Sequence, residues 1–255
     1  RSLAPMLKKI TPSIVNIAVE KIVPQKVNPF ESSKTKKQKS NKFFGVGSGV
    51  IINAEKGLIV TNAHVIHNER IMLVTLKDGR RYRAKLVGED TGFDIAIIKI
   101  PAKHLTNIHF GNSDKLKVGD FVAAIGSPFG LTQTVTSGVI SALNRSEPKI
   151  EGFQSFIQTD APINPGNSGG ALVNLDGELI GINTAIVSPA YGSIGIGFAI
   201  PSNMVKSVIN QLLKYGKVQR GMLGVIAQNI TPELANALNI QFTHQGAIVT
   251  QVLPG

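Results

Sequence analysis

The sequence predicts an all-β protein built as two β-barrels. Short runs of β-branched residues follow one another between Gly, Asn and Asp turn signals from residue 13 to residue 200. These runs divide into six before and six after a connection over residues 101–119. Antiparallel barrels close their own edges, and a cleft between two of them can gather side chains from both.

The twelve predicted strands are bounded by turn-forming residues, as is typical of all-β domains. The first barrel, about residues 12–100, is predicted to contain strands at 14–20, 47–53, 58–61, 71–76, 82–87 and 95–100. The second, about residues 119–200, is predicted to contain strands at 121–125, 132–141, 156–158, 171–174, 178–185 and 196–200.

Helices are predicted only towards the ends of the sequence. Residues 202–215 place apolar side chains at i, i+3, i+4, i+7 and i+8, with Ser202 as the expected cap and Gly216 as the expected end. A shorter helix is expected near residues 3–9. Residues 217–255 are predicted to be a separate, incomplete unit, with strands at 222–227 and 247–252 and a helix opened by Thr231.

Composition excludes several classes of protein. The 255 residues are 42% hydrophobic, which suits a globular protein with a substantial core. Because there is no cysteine, disulfides, thiolate catalysis and Cys-type zinc sites are excluded. The apolar runs are strand-sized and too short to span a membrane. The chain starts without Met, so we expect that a targeting segment has been removed.

Positive charge is concentrated in one segment. The formal net charge is +11, and the run from Lys34 to Lys42 contains five lysines and no acidic residue. Such a run is compatible with weak contact to an anionic membrane. A solvated loop is the simpler interpretation, and no specific nucleic-acid partner is predicted, because aromatic residues and nucleic-acid motifs are absent from it.

A serine lies between glycines in the sequence Gly-Asn-Ser-Gly-Gly at residues 166–170. A serine hydroxyl needs a base within hydrogen-bond reach and a third group that orients the base. Glycine lets the chain turn tightly enough for backbone N–H groups to converge on one oxyanion. We therefore predict Ser168 as a nucleophile, with an oxyanion hole formed by the N–H groups of Gly166 and Ser168, and also of Asn167.

His64 and Asp94 are the predicted partners of Ser168. His64 follows the apolar run 58–60 through a short polar turn that can direct an imidazole into a cleft. Asp94 precedes a run that is apolar on both faces, so its carboxylate is expected at the edge of a buried region, where it needs a partner such as the His64 Nδ1–H. His67 is expected to be exposed.

Two rival enzyme classes fit less well. The α/β-hydrolase elbow also reads G-x-S-x-G, but it requires a helix after the serine and a late histidine. Here a strand is predicted after Ser168, and only His244 lies downstream. A zinc site would need a third ligand near His64 and His67. We predict neither a metal nor a cofactor.

The three motifs at residues 61–65 (Thr-Asn-Ala-His-Val), 94–96 (Asp-Ile-Ala) and 166–170 together resemble the HtrA family of serine proteases, of the Do-like, DegP/DegQ type. The segments 181–185 and 195–201 extend this resemblance. Residues 220–225 resemble the entry of that family's first PDZ domain.

The resemblance implies a chymotrypsin-like double barrel over residues 1–216, followed by the start of a PDZ domain over 217–255. It also implies a periplasmic, homo-oligomeric protein, a trimer or a multiple of trimers, that cleaves unfolded polypeptides without ATP in protein quality control. The catalytic residues would be His64, Asp94 and Ser168. There are two alternatives to a protease: a chaperone that binds unfolded chains, and a PDZ scaffold that binds peptides.

The resemblance further assigns residues around the catalytic centre. Ile163, Ile186 and Val187 would line the primary substrate pocket, and Arg145 would relay activation signals. The basic segment 24–44 would be the family's long regulatory loop. Pro165 departs from the family pattern, in which a basic residue often stands just before the oxyanion glycine.

Overall fold

The computed structural model describes residues 2–23, 41–67, 71–128, 133–145, 155–184, 195–221, 224–240 and 246–253. The chain forms two compact units, Arg1–Val218 and Gln219–Gly255. In the described part, no helix has both the length and the apolar character that a membrane crossing requires.

The first unit contains two closed, six-stranded antiparallel barrels. The strands of the first barrel are β1 (Ile14–Val23), β2 (Asn41–Asn53), β3 (Leu58–Thr61), β4 (Ile71–Thr75), β5 (Arg81–Asp90) and β6 (Ile95–Lys99), in the order β1-β2-β3-β6-β5-β4. Pairing of β1 with β4 closes it. The predicted six-plus-six arrangement is confirmed.

The second barrel repeats this plan. Its strands are β7 (Phe121–Gly126), β8 (Thr134–Arg145), β9 (Phe156–Thr159), β10 (Ala171–Val173), β11 (Leu179–Thr184) and β12 (Gly197–Pro201), in the order β10-β11-β12-β9-β8-β7. Pairing of β7 with β10 closes it.

Alternation of side chains explains why the central strands are apolar throughout. On β6, Ile95 and Ile97 contribute to a cluster that also contains Ile125 and Phe156 of the second barrel. Ala96 and Ile98 face the opposite way and join a cluster made by the first barrel alone. Successive side chains of a strand point to opposite faces, so β6 is buried on both. Strand β6 therefore lies between the core of the first barrel and the core that the two barrels share.

Helix α1 (Ala4–Ile10) precedes the first barrel, and α3 (Ser202–Tyr215) follows the second. The α3 residues Val205, Val208 and Leu212 join the cluster between the barrels. Gly216 ends α3 in the left-handed conformation, with φ 71°. The cap prediction was wrong: Pro201 occupies the N-cap position, and the Ser202 hydroxyl donates to Gly111 O at 3.0 Å.

The prediction that helices occur only near the ends was also wrong. A single helical turn, α2 (Ala63–Ile66), follows β3, and short 3-10 helices form at Thr11–Ser13 and Ser113–Lys115. None of these segments is long enough to show a helical repeat of apolar residues, which is the signal that identified α3.

The second unit contains β13 (Val225–Asn229), α4 (Pro232–Ala237) and β14 (Ala247–Val252), with β13 and β14 antiparallel. Thr231 caps α4 by accepting a hydrogen bond from Leu234 N at 3.2 Å. Strand, helix and strand occur in the predicted order. The assignment of this unit to a PDZ domain stays a prediction.

Candidate active site

The helical turn that carries His64 is built around Asp94. The Asn62 side chain and the Ala63 N–H both donate to the Asp94 carbonyl, at 3.0 and 3.2 Å. The His64 N–H donates to Asp94 Oδ1 at 2.9 Å. These bonds join the end of β3 to the start of β6, which are neighbouring strands of the first barrel. One residue, Asp94, thus fixes the backbone that leads into His64.

The side chains of His64 and Asp94 are in direct contact. His64 Nδ1 lies 2.8 Å from Asp94 Oδ2 and 3.0 Å from Oδ1. The Asp94 side chain is 9% exposed and that of His64 is 29% exposed. A carboxylate can only accept, so the neutral imidazole that suits it carries its proton on Nδ1 and leaves Nε2 as an acceptor. This tautomer is the one that a general base requires.

Asp94 reaches both partners because its backbone is left-handed. Its φ is 52°, which is uncommon for a residue other than glycine. The turn before it is held by the Phe93 N–H, which donates to Asp90 Oδ1 at 2.8 Å, and by the Asp94 N–H, which donates to Thr91 O at 3.3 Å. These bonds stabilise a conformation that lets one residue offer its carbonyl and its carboxylate to α2.

Ser168 lies in the glycine turn between β9 and β10 and is 5% exposed. Two of the glycines have positive φ, 94° at Gly166 and 80° at Gly169, a conformation that favours glycine. A Cβ on Gly169 would overlap Thr61 Oγ1, so the turn packs directly against the segment that leads into His64. Ser168 therefore belongs to the second barrel, and its turn packs against the strand of the first barrel that leads into His64.

The backbones of the three residues predicted to form the oxyanion hole have different hydrogen-bond partners. The Gly166 N–H has no hydrogen-bond acceptor among the residues that the structure describes. The Asn167 N–H donates to Asn164 O at 3.0 Å and is therefore already engaged in this conformation. The Ser168 carbonyl accepts a hydrogen bond from Ser48 N at 2.8 Å.

The residues predicted for the substrate pocket and for regulation lie in different parts of the second barrel or outside the described residues. Ile163 is fully buried in the core of the second barrel, and a Cβ on Gly197 would lie 3.0 Å from its Cδ1. Arg145 is the last residue of β8 and is exposed, and Pro165 is exposed in the serine turn. Ile186, Val187, residues 24–40 and the side chain of Lys42 lie outside the described residues.

Sequence reasoning missed three polar contributors to this site. It assigned no role to the side chains of Ser48, Asn62 and Thr184. In the structure Thr184 of the second barrel donates to Asp94 Oδ2 at 3.4 Å. The partners of these side chains lie 32 to 118 residues away, so no local pattern identifies them.

The remaining described histidine near the site has a separate partner. His67 Nδ1 lies 3.3 Å from Glu89 Oε1, and the His67 side chain is 46% exposed, as the sequence predicted. Among the described residues, no group of three or more His, Asp or Glu side chains is placed to hold a metal ion.

Comparison with known proteins places this geometry in a family. Residues 47–182 match the model of the trypsin-like peptidase domain. The chain is 50% identical to the periplasmic pH-dependent serine endoprotease DegQ of Escherichia coli (strain K12) over 262 residues, which cover 100% of this chain and 57% of DegQ. It is also 50% identical to the periplasmic serine endoprotease DegP of the same organism over 283 residues, 99% of this chain and 60% of DegP.

Solved structures give the same result. The HtrA-type protease AlgW with a decapeptide is 41% identical, with a TM-score of 0.79, and the match covers 99% of this chain and 79% of AlgW. AlgW with a tripeptide is 42% identical, with a TM-score of 0.82 and coverage of 100% and 77%. The chain spans about three fifths of the length of DegP and DegQ. It belongs to the trypsin-like peptidases and, within them, to the HtrA-type serine proteases.

Proposed function

We propose that this chain is a serine endopeptidase that cleaves polypeptides through an acyl-enzyme. The observation that carries the proposal is the contact of His64 Nδ1 with both carboxylate oxygens of Asp94, at 2.8 and 3.0 Å. The glycine turn that contains Ser168 packs on Thr61, three residues before His64. The names of the relatives, serine endoproteases in two cases, support the same reaction class.

In the first half-reaction, Ser168 Oγ attacks the scissile carbonyl carbon and His64 Nε2 takes the hydroxyl proton. Asp94 keeps the imidazole in the required tautomer and stabilises its charged form. The Gly166 and Ser168 N–H groups hold the developing oxyanion. The tetrahedral intermediate collapses, and His64 gives the proton to the leaving amine nitrogen. The acyl group remains on Ser168 Oγ.

In the second half-reaction, water takes the place of the leaving amine. His64 Nε2 removes a proton from the water as its oxygen attacks the ester carbon, and the same two N–H groups hold the second oxyanion. When this intermediate collapses, Ser168 Oγ recovers the proton from His64. The products are a free carboxyl end and the regenerated hydroxyl, so no cofactor or metal is consumed.

We propose unfolded polypeptides as the substrate class. The strand that ends at Thr184, together with the residues that follow it, would pair with substrate backbone, and main-chain hydrogen bonds tolerate varied side chains. The buried Ile163 would form the floor of the primary pocket, with Ile186 and Val187 on its wall. The resemblance to the HtrA family implies cleavage after small or β-branched aliphatic residues, and an aliphatic lining is compatible with that preference.

Regulation of this site is proposed for the loops around it. Arg145 leaves β8 exposed at the start of residues 146–155 and would relay an activation signal from there. The basic segment 24–44 would act as a regulatory loop, with weak contact to anionic membranes through the lysines from Lys34 to Lys42. We also propose a periplasmic location, as in the names of DegP and DegQ.

Self-association into a trimer is proposed from the family resemblance, and two exposed apolar side chains of the second barrel support it. Phe121 is 62% exposed and Leu175 is 53% exposed, and both line a concavity of about 520 Å³ away from the serine turn. Large exposed apolar side chains that share one concavity are typical of an interface. Sedimentation equilibrium tests this directly, because a mass of one chain at micromolar concentration would contradict the proposal.

The decisive experiment compares the wild-type protein with Ser168→Ala on unfolded casein. We expect cleavage to fall by about 10⁶-fold, because neither the base nor the oxyanion hole replaces a missing nucleophile. The thermal midpoint should stay close to that of the wild type, which shows that the fold is intact. Persistent digestion by Ser168→Ala would refute the assignment. Binding of casein by an uncleaving wild type would instead favour the chaperone alternative.

A further inference from the structure

Ser48 lies at the centre of β2, fully buried where the first barrel faces the second. Its two neighbours are glycines that have no room for a side chain. A Cβ on Gly47 would lie 2.5 Å from Val65 Cγ1, and a Cβ on Gly49 would lie 2.7 Å from Ile59 Cγ2. The strand is therefore packed closely on both sides of Ser48, so the position of its hydroxyl is well defined.

Ser48 makes four hydrogen bonds with residues that the structure describes, and three of them cross to the second barrel. Its hydroxyl donates to Gly166 O at 2.7 Å and accepts from Ser127 N at 2.7 Å. Its own N–H donates to Ser168 O at 2.8 Å. The fourth bond, from Thr61 Oγ1 to Ser48 O at 2.7 Å, holds Ser48 to the strand before His64. One buried residue thus contacts both the nucleophile turn and the segment that carries the base.

The bond to Gly166 O fixes a particular peptide plane. The carbonyl of Gly166 and the N–H of Asn167 belong to the same rigid peptide group. The carbonyl end is held by Ser48 Oγ and the N–H end by Asn164 O, at 2.7 and 3.0 Å. This plane lies between the two N–H groups, of Gly166 and Ser168, that are proposed to hold the oxyanion. Its orientation therefore determines whether those two groups converge.

Glycine at position 166 makes an external hydrogen bond necessary. Gly166 has φ 94°, and a glycine populates positive and negative φ almost equally. Gly166 therefore allows the tight turn but does not by itself favour this turn conformation over others. A hydrogen bond from a rigid strand supplies the missing selection. The alternative orientation of this peptide would leave the Gly166 carbonyl without its donor, and the Ser48 hydroxyl proton without its acceptor, in a buried place.

We propose that Ser48 is a positioning residue for the oxyanion hole: from the first barrel, its buried hydroxyl holds the Gly166–Asn167 peptide in the orientation that lets the Gly166 and Ser168 N–H groups receive one oxyanion. The inference rests on the proposed peptidase function. Ser48 itself touches neither the substrate nor the reacting atoms.

Asn16 offers a matched control. It is the residue opposite Ser48 on β1, it is 5% exposed, and its Nδ2 donates to Ser127 O at 2.6 Å. Asn16 and Ser48 thus both link the first barrel to Ser127 from adjacent strands. Asn16 makes no described contact with the Gly166 to Ser168 turn. Loss of either side chain removes a buried bond between the barrels, but only loss of Ser48 Oγ releases the Gly166 carbonyl.

The test compares Ser48→Ala and Asn16→Ala with the wild-type chain, using a peptide substrate and a peptide boronate whose adduct carries an oxyanion. Deleting one oxyanion donor costs about 10²- to 10³-fold in kcat, and Ser48→Ala disorders two donors without deleting either, so we expect a loss of about 10- to 100-fold. KM should change little. Affinity for the boronate should fall in parallel with kcat, because both depend on the hole.

The control separates positioning from general stability. Both alanine variants should lower the thermal midpoint, but Asn16→Ala should keep kcat within about twofold of the wild type. Equal losses of kcat in the two variants, or an unchanged kcat in Ser48→Ala, would overturn the inference. If Ser48→Ala does not fold, Ser48→Cys takes its place in the test. The thiol is a weaker hydrogen-bond donor than the hydroxyl, so this variant should have a reduced kcat and an unchanged KM. A kcat equal to that of the wild type would overturn the inference.

Failure of the proposed function has a different outcome. A wild-type chain that cleaves no casein and whose Ser168 does not react with a fluorophosphonate would overturn both the peptidase proposal and the role of Ser48. An active wild type with an unaffected Ser48→Ala would overturn the role of Ser48 alone.

Discussion

The base and the nucleophile of the proposed triad are held in different ways. Every hydrogen bond described between Asp94 and the segment that carries His64 lies within the first barrel. The nucleophile turn belongs to the second barrel, but the carbonyls of Gly166 and Ser168 accept hydrogen bonds from Ser48 of the first. The base is therefore positioned by folding of one barrel, and the nucleophile by the docking of two.

This difference predicts where each function is vulnerable. A change inside the first barrel that affects Asp94 should remove general-base catalysis and leave the nucleophile turn in place. A change in the turn or in its contacts should weaken oxyanion binding and leave the His64 to Asp94 contact intact. Variants in the two regions should therefore lose activity through different kinetic steps.

The largest effect after loss of the nucleophile is expected from Asp94→Asn. The asparagine keeps the size of the side chain, but its NH₂ group offers His64 Nδ1 a donor where it needs an acceptor, so the imidazole adopts the wrong tautomer. We expect kcat on a peptide substrate to fall by about 10⁴-fold near neutral pH. Affinity for a peptide boronate should fall far less, since the oxyanion hole belongs to the other barrel.

The control for this variant is Asp78→Asn. Asp78 is an exposed carboxylate that pairs with Arg80 Nε at 2.8 Å, away from the site. Exposed ion pairs contribute little to stability, and Asp78 is not part of the site. The kcat of Asp78→Asn should therefore stay within about twofold of the wild type. A loss of less than about tenfold in Asp94→Asn would contradict the role given to Asp94 as the residue that orients the base.

The second effect is expected from Gly166→Ala, which acts on the nucleophile turn. Alanine disfavours the φ of 94°, and its Cβ would lie 2.5 Å from Pro128 Cβ, so the turn must shift. We expect kcat to fall by about 10²- to 10³-fold, as after loss of an oxyanion donor. Boronate affinity should fall by the same factor, in contrast to Asp94→Asn.

Gly119→Ala is the matched control for this variant. Gly119 has nearly the same φ, 95°, but a Cβ there would contact nothing within 4 Å. The alanine should cost stability through backbone strain alone, of about 1–3 kcal/mol, and leave kcat unchanged. Equal kinetic losses in the two glycine variants would show that strain at any turn lowers activity, and the special role of the serine turn would be lost.

Elements whose residues form a local pattern could be predicted from the sequence. Helix α3 was predicted at both of its bounds, because apolar residues repeat at helical spacing and Gly216 ends it with a left-handed residue. The strand pattern identified six strands in each barrel, and the bounds of β3 and β14 match the prediction. Burial on both faces of β6 was read from its continuous apolar run.

The contacts that assemble the site were beyond local reasoning. Helix α2 is one turn long, and it is held by Asp94, 30 residues further along the chain from His64. Ser48 and Gly166 are 118 residues apart, and Thr184 and Asp94 are 90 apart. Glycine flanks Ser48 because β2 packs closely on Val65 and Ile59, a reason that is visible only when the barrel is closed. Long-range docking, rather than propensity, determines these features.

The smallest effect is expected from Thr184→Val, which tests whether Asp94 is truly positioned within one barrel. Thr184 is 2% exposed and donates to Asp94 Oδ2 at 3.4 Å from the second barrel, a distance that indicates a weak bond. Valine keeps the shape and removes the donor. Since Asp94 keeps its contacts with α2, we expect kcat to fall by only about two- to fivefold, in line with the loss of one modest hydrogen bond.

Thr159→Val separates this effect from the general cost of losing a buried hydroxyl in the second barrel. Thr159 is fully buried, and its hydroxyl donates to Val139 O at 2.7 Å, away from Asp94. Both variants should lower the thermal midpoint, but only Thr184→Val should lower kcat. A loss in Thr184→Val that approaches the loss in Asp94→Asn would mean that the second barrel, and not the turn around His64, fixes the orientation of the acid. The base and the nucleophile would then depend equally on the docking of the barrels.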